Sequence, residues 1–235
     1  MKKPEKNTLI FLGDIHGEWS SLARKIEEQS IKNAYIVQVG DFGVGFKHPL
    51  NEEAALHRLN ECLETNNIDL FAIRGNHDSP KFFATKNHPY NCHNITFLPD
   101  YSELEILGKR IFLAGGAVSI DRLWRVEGKS YWSDEAFKFN DQFPFDNREF
   151  DIVVTHTRPP ESGIFLSKKG IEPFLKADSN LEKDINQENT EMSKLYKKLS
   201  HVKEWIFGHF HDSETKFIGE TKFKLLNIDE FYEQR

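Results

Sequence analysis

The sequence predicts a mixed α/β fold with two β-sheets. Short apolar runs rich in β-branched residues recur along the chain, and each ends in Gly, Asp, Asn or His. Helical patterns separate the first of these runs, which is typical of a largely parallel inner sheet covered by helices. Later strands follow one another without long helices, so two sheets fit the pattern better than one doubly wound sheet.

The predicted strands with polar ends begin near the N-terminus. They span residues 8–12, 35–39, 69–73, 110–114, 151–155 and 204–207. Two amphipathic helices are predicted between the first three strands, because apolar residues recur there at helical spacing. Their stripes are Trp19, Leu22, Ala23 and Ile26 in the first helix, and Ala55, Leu56, Leu59 and Leu63 in the second.

The second half of the chain has a different pattern. Further strands are predicted over 95–98 and 103–107, and residues 214–219 and 222–228 are predicted to pair as a hairpin. Residues 161–203 are highly polar and form a predicted excursion that ends in a helix. We interpret this segment as a solvated surface, with a lid over the functional site as the alternative. No linker or repeat divides the chain, so residues 1–235 are predicted to form a single domain.

Composition limits the classes of function. The formal net charge of -6 argues against stable nucleic-acid binding, which needs a basic surface. Two cysteines are too few for a disulfide framework, and the N-terminal apolar run is too short for a signal peptide or a membrane span. We therefore expect a cytoplasmic protein without a membrane partner.

Metal-ligand side chains follow the predicted strands, at the point where each strand ends. Asp and His follow the first strand, and Asp, Asn or His follow four others. Because the carboxyl ends of neighbouring strands meet at one edge of a sheet, we expect these groups to lie close together. So many carboxylates and imidazoles in one place require a metal. A mixed oxygen and nitrogen ligand set suits Mn, Fe, Zn or Mg, and two ions about 3.5–4 Å apart would use every ligand.

The motifs GDIHG, GD, GNHD, TH and GHFH occur in that order between Gly13 and His211. Together they closely resemble the calcineurin-like metallophosphoesterases, although each piece alone is weak. The resemblance implies a four-layer α/β/β/α sandwich, with two mixed sheets flanked by helices. It also implies a phosphoesterase with two divalent metal ions, Mn favoured, in which a metal-bridging hydroxide attacks phosphorus.

The resemblance assigns a role to each matching residue. Three residues would hold the first metal, namely Asp14, His16 and His211, and three would hold the second, namely Asn76, His156 and His209. Asp41 would bridge the two ions. His77 would act as general acid or charge stabiliser, and Asp78 would orient its ring.

One departure from the family pattern concerns arginine. The stretch after Asp41 is FGVGFKH, so the arginine that protein phosphatases carry there is missing. We predict that Arg158 contacts the substrate phosphate, with Arg122 or Arg125 as the alternative. Three aromatic residues near these arginines, Trp124, Tyr131 and Trp132, are interpreted as core residues, with stacking on a base or an aryl group as the alternative.

The favoured function is a phosphomonoesterase that acts on a phosphorylated small molecule, a nucleotide or a phosphoprotein. The first alternative is a phosphodiesterase or nuclease on the same scaffold. The second is a non-catalytic protein-binding module, which would be expected to have lost metal ligands. None of the motif positions has lost its ligand in this sequence.

Overall fold

The computed structural model describes residues 4–146, 148–165 and 168–234, and within them the chain forms eleven strands and four α-helices. The first half contains β1 (Thr8–Leu12), α1 (Trp19–Glu28), β2 (Ala34–Gln38), α2 (Pro49–Thr65), β3 (Asp69–Ala72), β4 (Ile95–Phe97), β5 (Ser102–Ile106) and β6 (Lys109–Ala114). The second half contains β7 (Ile152–Thr155), α3 (Lys168–Ala177), α4 (Leu181–Leu199), β8 (Glu204–Phe207), β9 (Glu214–Ile218), β10 (Thr221–Leu225) and β11 (Phe231–Glu233).

The strands form two mixed sheets. The first has the order β11-β1-β2-β3-β4, in which β1 to β4 are parallel and β11 is antiparallel to β1. The second has the order β5-β6-β7-β8-β10-β9, in which β6, β7, β8 and β10 are parallel. The edge strands β5 and β9 are antiparallel to their neighbours, so the predicted hairpin of β9 and β10 is confirmed.

Alternation along the strands builds the layers, because successive side chains of a strand point to opposite faces. In β1, Ile10 and Leu12 pack with α1 and α2, whereas Leu9 and Phe11 join the apolar layer between the sheets. In β6, Ile111 belongs to that same middle layer, and Phe112 lies in a third core with α4. Three apolar cores separate four layers, which confirms the α/β/β/α sandwich.

Two features differ from the sequence expectation. β11 closes one edge of the first sheet, and its three residues are too few to give a clear period-two signal. Residues 161–203 contain two helices, α3 and α4, rather than one, and residues 166 and 167 of that segment lie outside the described residues. α4 is more than a solvated surface, because Met192, Leu195 and Leu199 are buried against the second sheet.

None of the helices in the described part of the chain combines the length and the apolar character needed to cross a lipid bilayer.

Glu188 is an unexpected charge in the face of α4 that packs inward. Its side chain is 8% exposed and accepts a hydrogen bond from the Phe137 amide at 3.4 Å. Burial raises the pKa of Glu188 to about 7, against the opposing backbone hydrogen bonds from Phe137 and Val118. The folded protein therefore binds a proton at this carboxyl in a pH range where the unfolded chain has released it.

We expect Glu188→Gln to remove a pH dependence of stability. The ordinary pKa of 4.5 is raised to about 7, so this carboxyl lowers the free energy of unfolding of the wild type as pH rises between those values. The difference in that free energy, variant minus wild type, should grow by about 3 kcal/mol between pH 5 and pH 8 in urea titrations. Glu182→Gln, exposed on the same helix, is the control. A constant difference across that range would contradict the prediction.

Candidate metal centre

The predicted ligands converge on one edge of the sandwich. Three strands of the first sheet, β1, β2 and β3, and two of the second, β7 and β8, end there. Their carboxyl-terminal loops carry all seven predicted ligands: Asp14, His16, Asp41, Asn76, His156, His209 and His211. The structure brings these side chains together in two groups that share one residue.

The first group consists of Asp14, His16, Asp41 and His211, whose ligand atoms all lie within 4.8 Å of one another. The Nε2 atoms of His16 and His211 are 3.0 Å apart. His211 Nε2 also lies 3.4 Å from Asp14 Oδ2. Two imidazole nitrogens and a carboxylate oxygen that face one small volume form the kind of donor set that divalent transition metals prefer.

The second group consists of Asp41, His156 and His209. His156 Nε2 lies 3.2 Å from Asp41 Oδ1 and 3.1 Å from Asn76 Oδ1, which brings the amide oxygen of Asn76 to the same point. The other ring nitrogen of His156, Nδ1, donates to the Val39 carbonyl at 2.9 Å. A backbone carbonyl only accepts, so this bond leaves Nε2 of the neutral ring without a proton and free to bind a metal.

The buried carboxylate of Asp41, which both groups share, suits the binding of a cation. Asp41 is 1% exposed, and among the described residues its Oδ2 has no hydrogen-bond partner. Burial opposes protonation of His156, but Asp41, Asp14 and the hydrogen bond to the Val39 carbonyl together raise the pKa of His156 to about 9. A buried carboxylate oxygen without a donor is costly, and a metal ion would satisfy it. The residues present therefore fit a two-metal centre in which Asp41 is shared.

The backbone at this edge is strained. His16, Asp41, His209 and His211 have positive φ angles of 44°, 58°, 69° and 51°. Non-glycine residues seldom adopt the left-handed region, and such residues cost of order 1 kcal/mol each and cluster at functional sites. These left-handed turns direct the four ligand side chains toward the centre, whereas an extended backbone would direct them away from it.

Glycines precede several ligands because nothing larger fits. A Cβ on Gly75 would lie 2.0 Å from Asp41 Oδ1 and 2.7 Å from His156 Nε2. A Cβ on Gly208 would lie 2.1 Å from Asp14 Oδ1. The GN and GH pairs thus let one strand end approach the carboxylates of another.

Asp78 contacts the loop that follows Asp41 and makes no hydrogen bond to the His77 ring among the described residues. Its Oδ1 accepts from the amides of Gly43 at 2.7 Å and Val44 at 3.1 Å. Its Oδ2 accepts from the amides of Gly75 at 2.8 Å and Phe42 at 3.1 Å. We predicted that Asp78 orients the His77 ring, whereas the structure places both carboxylate oxygens of Asp78 on backbone N–H groups. A buried carboxylate needs such donors, and these four occupy it fully.

His77 is oriented by an arginine. Nη2 of Arg125 donates to His77 Nε2 at 2.5 Å and lies 2.7 Å from Asp121 Oδ1. The ring stacks on Phe46, with centroids 5.6 Å apart and 16° between the planes. Burial lowers the pKa of His77 to about 4, and the charge of Arg125 adds to the effect although Asp41 opposes it. In the free protein the ring is therefore neutral near pH 7, and its Nε2 accepts a hydrogen bond from the Arg125 guanidinium.

The other two candidate arginines face elsewhere. Arg122 Nε lies 2.6 Å from Asp178 Oδ2 and its Nη1 lies 2.7 Å from Asp184 Oδ2, so its guanidinium ties a short turn to the junction of α3 and α4. The guanidinium of Arg158 lies over the rings of Phe165 and Phe210, at 4.9 and 5.6 Å from their centroids. Neither lines the cavity over the centre, in contrast to Arg125, because adjacency in sequence does not set the direction of a side chain.

A cavity of 320 Å³ lies over the two groups. Its polar lining comes from Asp41, Asn76, His77, Asp121, Arg125, His209 and His211, and its apolar wall comes from Ile120, Phe174 and Phe210. The segment after β6 thus lines the cavity; Arg122 and Arg125 in it were predicted as alternative phosphate contacts, but no metal ligand was predicted there. Ser119 in that segment accepts from Asn76 Nδ2 at 3.0 Å and so keeps the amide oxygen toward the centre. The paired glycines that follow this strand were the available sequence signal.

We expect the chain to bind two divalent ions and Gly75→Ala to lose them. After Mn²⁺ reconstitution and desalting, elemental analysis should give about two ions per chain for the wild type. The added methyl group would push Asp41 aside, so the variant should retain fewer than one. Gly170→Ala, whose Cβ meets nothing within 4 Å, is the matched control and should keep two. One tight ion in the wild type, or two in Gly75→Ala, would overturn the assignment.

Comparisons with known proteins place the chain in a family. A family model described as calcineurin-like phosphoesterase matches residues 8–213. No curated protein matches the sequence significantly. Among solved structures, TT1561 of Thermus thermophilus is 12% identical, with coverage of 97% of each chain and a TM-score of 0.52, a likeness of fold.

Two other solved structures are more distant. A phosphodiesterase from an archaeon is 11% identical, with coverage of 97% of this chain and 99% of that one and a TM-score of 0.42. The phosphopantetheinyl hydrolase of Mycobacterium tuberculosis is 11% identical, with coverage of 95% and 91% and a TM-score of 0.46. The family model spans most of the sequence and all five motifs, and the chain therefore belongs to the calcineurin-like phosphoesterase family.

Proposed function

We propose that the protein is a metal-dependent phosphomonoesterase. The observation that carries the proposal is the arrangement around Asp41: two ligand groups share its buried carboxylate, and the paired His77 and Arg125 line the same cavity. Two adjacent cation sites with a guanidinium beside them match the charge of a phosphoryl group.

The residues of the chain would divide the work as follows. Asp14, His16 and His211 would hold one ion, Asn76, His156 and His209 the other, and Asp41 both, with Mn²⁺ favoured by the mixed donors. When bound, such ions supply positive charge for the phosphoryl oxygens and lower the pKa of water toward neutrality.

Arg125 and His77 would act on the substrate directly. The Arg125 guanidinium is always charged and would hold two phosphoryl oxygens in a bidentate contact. His77 also lines the cavity, and its Nε2, which contacts Arg125 Nη2 in the free protein, would transfer a proton to the leaving oxygen. A nearby phosphoryl dianion favours the protonated imidazole, so substrate binding itself would supply the form that donates.

A phosphodiesterase is the alternative that shares this machinery. Arg125 is the only lysine or arginine among the described residues that line the cavity, and its other partner is Asp121. A long polyanion would find few cations there, which favours a small substrate with one phosphoryl group. Comparison of p-nitrophenyl phosphate with bis(p-nitrophenyl) phosphate on the Mn²⁺-loaded protein separates the two, and higher kcat/KM on the diester would overturn the monoesterase proposal.

We expect Arg125→Ala to weaken binding of the transition state. Loss of one charge-assisted contact in a site costs about 2–4 kcal/mol, or roughly 30- to 1,000-fold in kcat/KM. Arg125→Lys should recover only part of this, because a point charge lacks the guanidinium fork. Arg24→Ala, exposed on α1, should have no effect. A larger defect in Arg158→Ala than in Arg125→Ala would return the role to the arginine that the sequence favoured.

We expect His77→Ala to keep its metal content and lose turnover. Removal of a general acid lowers kcat by roughly 10²- to 10⁴-fold. The loss should be greater for phenyl phosphate than for p-nitrophenyl phosphate, since nitrophenolate leaves without help from a proton donor. Elemental analysis and steady-state kinetics test both points, with His57→Ala on α2 as the control. Loss of bound metal in His77→Ala would make His77 a ligand instead.

A further inference from the structure

One wall of the metal cavity is apolar. Ile120, Phe174 and Phe210 line it beside the polar residues of the centre, and the Phe210 ring meets that of His209 edge to face with centroids 4.9 Å apart. All three residues are partly exposed, although Phe210 also packs against the core formed with α4. A charged phosphoryl group gains nothing from apolar contacts, so this wall suits the organic group to which the phosphate is esterified.

The apolar wall continues outward onto the surface. Trp124 is 63% exposed, and its ring meets Phe174 edge to face with centroids 5.5 Å apart. Its neighbours Leu123 and Val126 are 55% and 57% exposed. The interpretation of Trp124 as a core residue is therefore wrong. A contiguous exposed apolar patch beside a cavity marks a binding site more often than chance.

The patch is held in place by charges beneath it. The ion pairs of Arg122 with Asp178 and Asp184 fasten the turn that carries Trp124 to the junction of α3 and α4. The side chains of Arg122 and Asp178 are 15% and 7% exposed, so this ion pair is largely shielded from solvent. The turn that carries Trp124 and the helix that carries Phe174 are therefore joined by ion pairs as well as by the contact of the two rings.

The few cationic side chains of the cavity limit the number of phosphoryl groups that a bound substrate can carry. Arg125 is its one guanidinium among the described lining residues, and Asp121 neutralises part of it. The volume of 320 Å³ lies near the lower end of the range of small-molecule sites. These limits suit a single phosphoryl group joined to one ring system, and a polyphosphate chain would exceed them.

We infer that Phe174, Trp124 and Phe210 form a subsite for a flat aromatic group esterified to the phosphate. The aromatic faces and edges of the wall would stack on that group while Arg125 holds the phosphoryl oxygens. This inference rests on the proposed monoesterase function and names its substrate class. Two sources share this chemistry: the base of a nucleoside monophosphate and the ring of an aryl phosphate.

The test measures binding, so it does not depend on turnover. Calorimetry on the Mn²⁺-reconstituted protein compares three non-hydrolysable ligands: methylphosphonate, 2-naphthylmethylphosphonate and the phosphonate analogue of adenosine monophosphate. We expect at least one aromatic ligand to bind about 10-fold tighter than methylphosphonate, and the better of the two identifies the source. Phe174→Ala and Trp124→Ala should each reduce that preference by about 3- to 10-fold, the size of one aromatic contact.

Controls separate the subsite from folding. Phe217→Ala removes an aromatic ring that is 68% exposed on β9, away from the cavity, and should leave the preference unchanged. Phe174→Leu should keep part of it, because the apolar surface remains. Trp124 is largely exposed, so Trp124→Ala tests the subsite even where Phe174→Ala fails to fold.

The outcomes distinguish this inference from the proposed function. A preference below twofold in the wild type, or an equal preference in wild type and Trp124→Ala, overturns the subsite. Hydrolysis of methyl phosphate and phenyl phosphate is measured separately. Hydrolysis without an aromatic preference in binding would support the proposed function and overturn the subsite. An aromatic preference in binding without hydrolysis of any ester would support the subsite and overturn the proposed function.

Discussion

The buried carboxylate and backbone of Asp41 join the loops of both sheets. Its carbonyl accepts from the amides of Ile15 and His16 after β1, and its Oδ1 accepts from the His77 amide after β3 at 2.7 Å. The same Oδ1 lies 3.2 Å from His156 after β7, on the other sheet. Burial raises the pKa of this carboxyl, but His156, His77 and His16 together hold the pKa well below its usual range. A charge buried this deeply persists only with such partners, so four strand ends are drawn to one residue.

Support for Asp41 comes from residues that have no need to touch a substrate. Asp78 binds four backbone amides and so shapes the loop that presents Asp41. Trp19 of α1 donates from its indole to the Phe42 carbonyl at 3.0 Å, which links the helix layer to the same loop. The strained φ angles of the ligands are maintained by this network, because an isolated loop would relax to an unstrained conformation. The rigidity of the sandwich is thereby transmitted to the centre.

The three candidate arginines show how tertiary packing assigns roles. All three carry the same charge and follow strand ends of the second sheet. Asp178 and Asp184 engage Arg122, the rings of Phe165 and Phe210 contact the Arg158 guanidinium, and neither arginine lines the cavity. Arg125 keeps its guanidinium at the cavity because its partners, Asp121 and His77, lie there too. The partners of a charge, more than its place in the sequence, decide whether a ligand can reach it.

The sequence by itself determined the two-sheet α/β class, the strand ends and the seven residues that meet there. Period-two and helical patterns report burial directly, and polar residues after buried strands stand out because few positions tolerate them. The tertiary structure alone decided four features: short β11, the split of α3 from α4, the backbone contacts of Asp78 and the position of Arg125 at the cavity. Each depends on contacts between residues distant in the chain, as in the contact of Trp124 with Phe174. A local sequence pattern does not indicate which distant residue packs beside it.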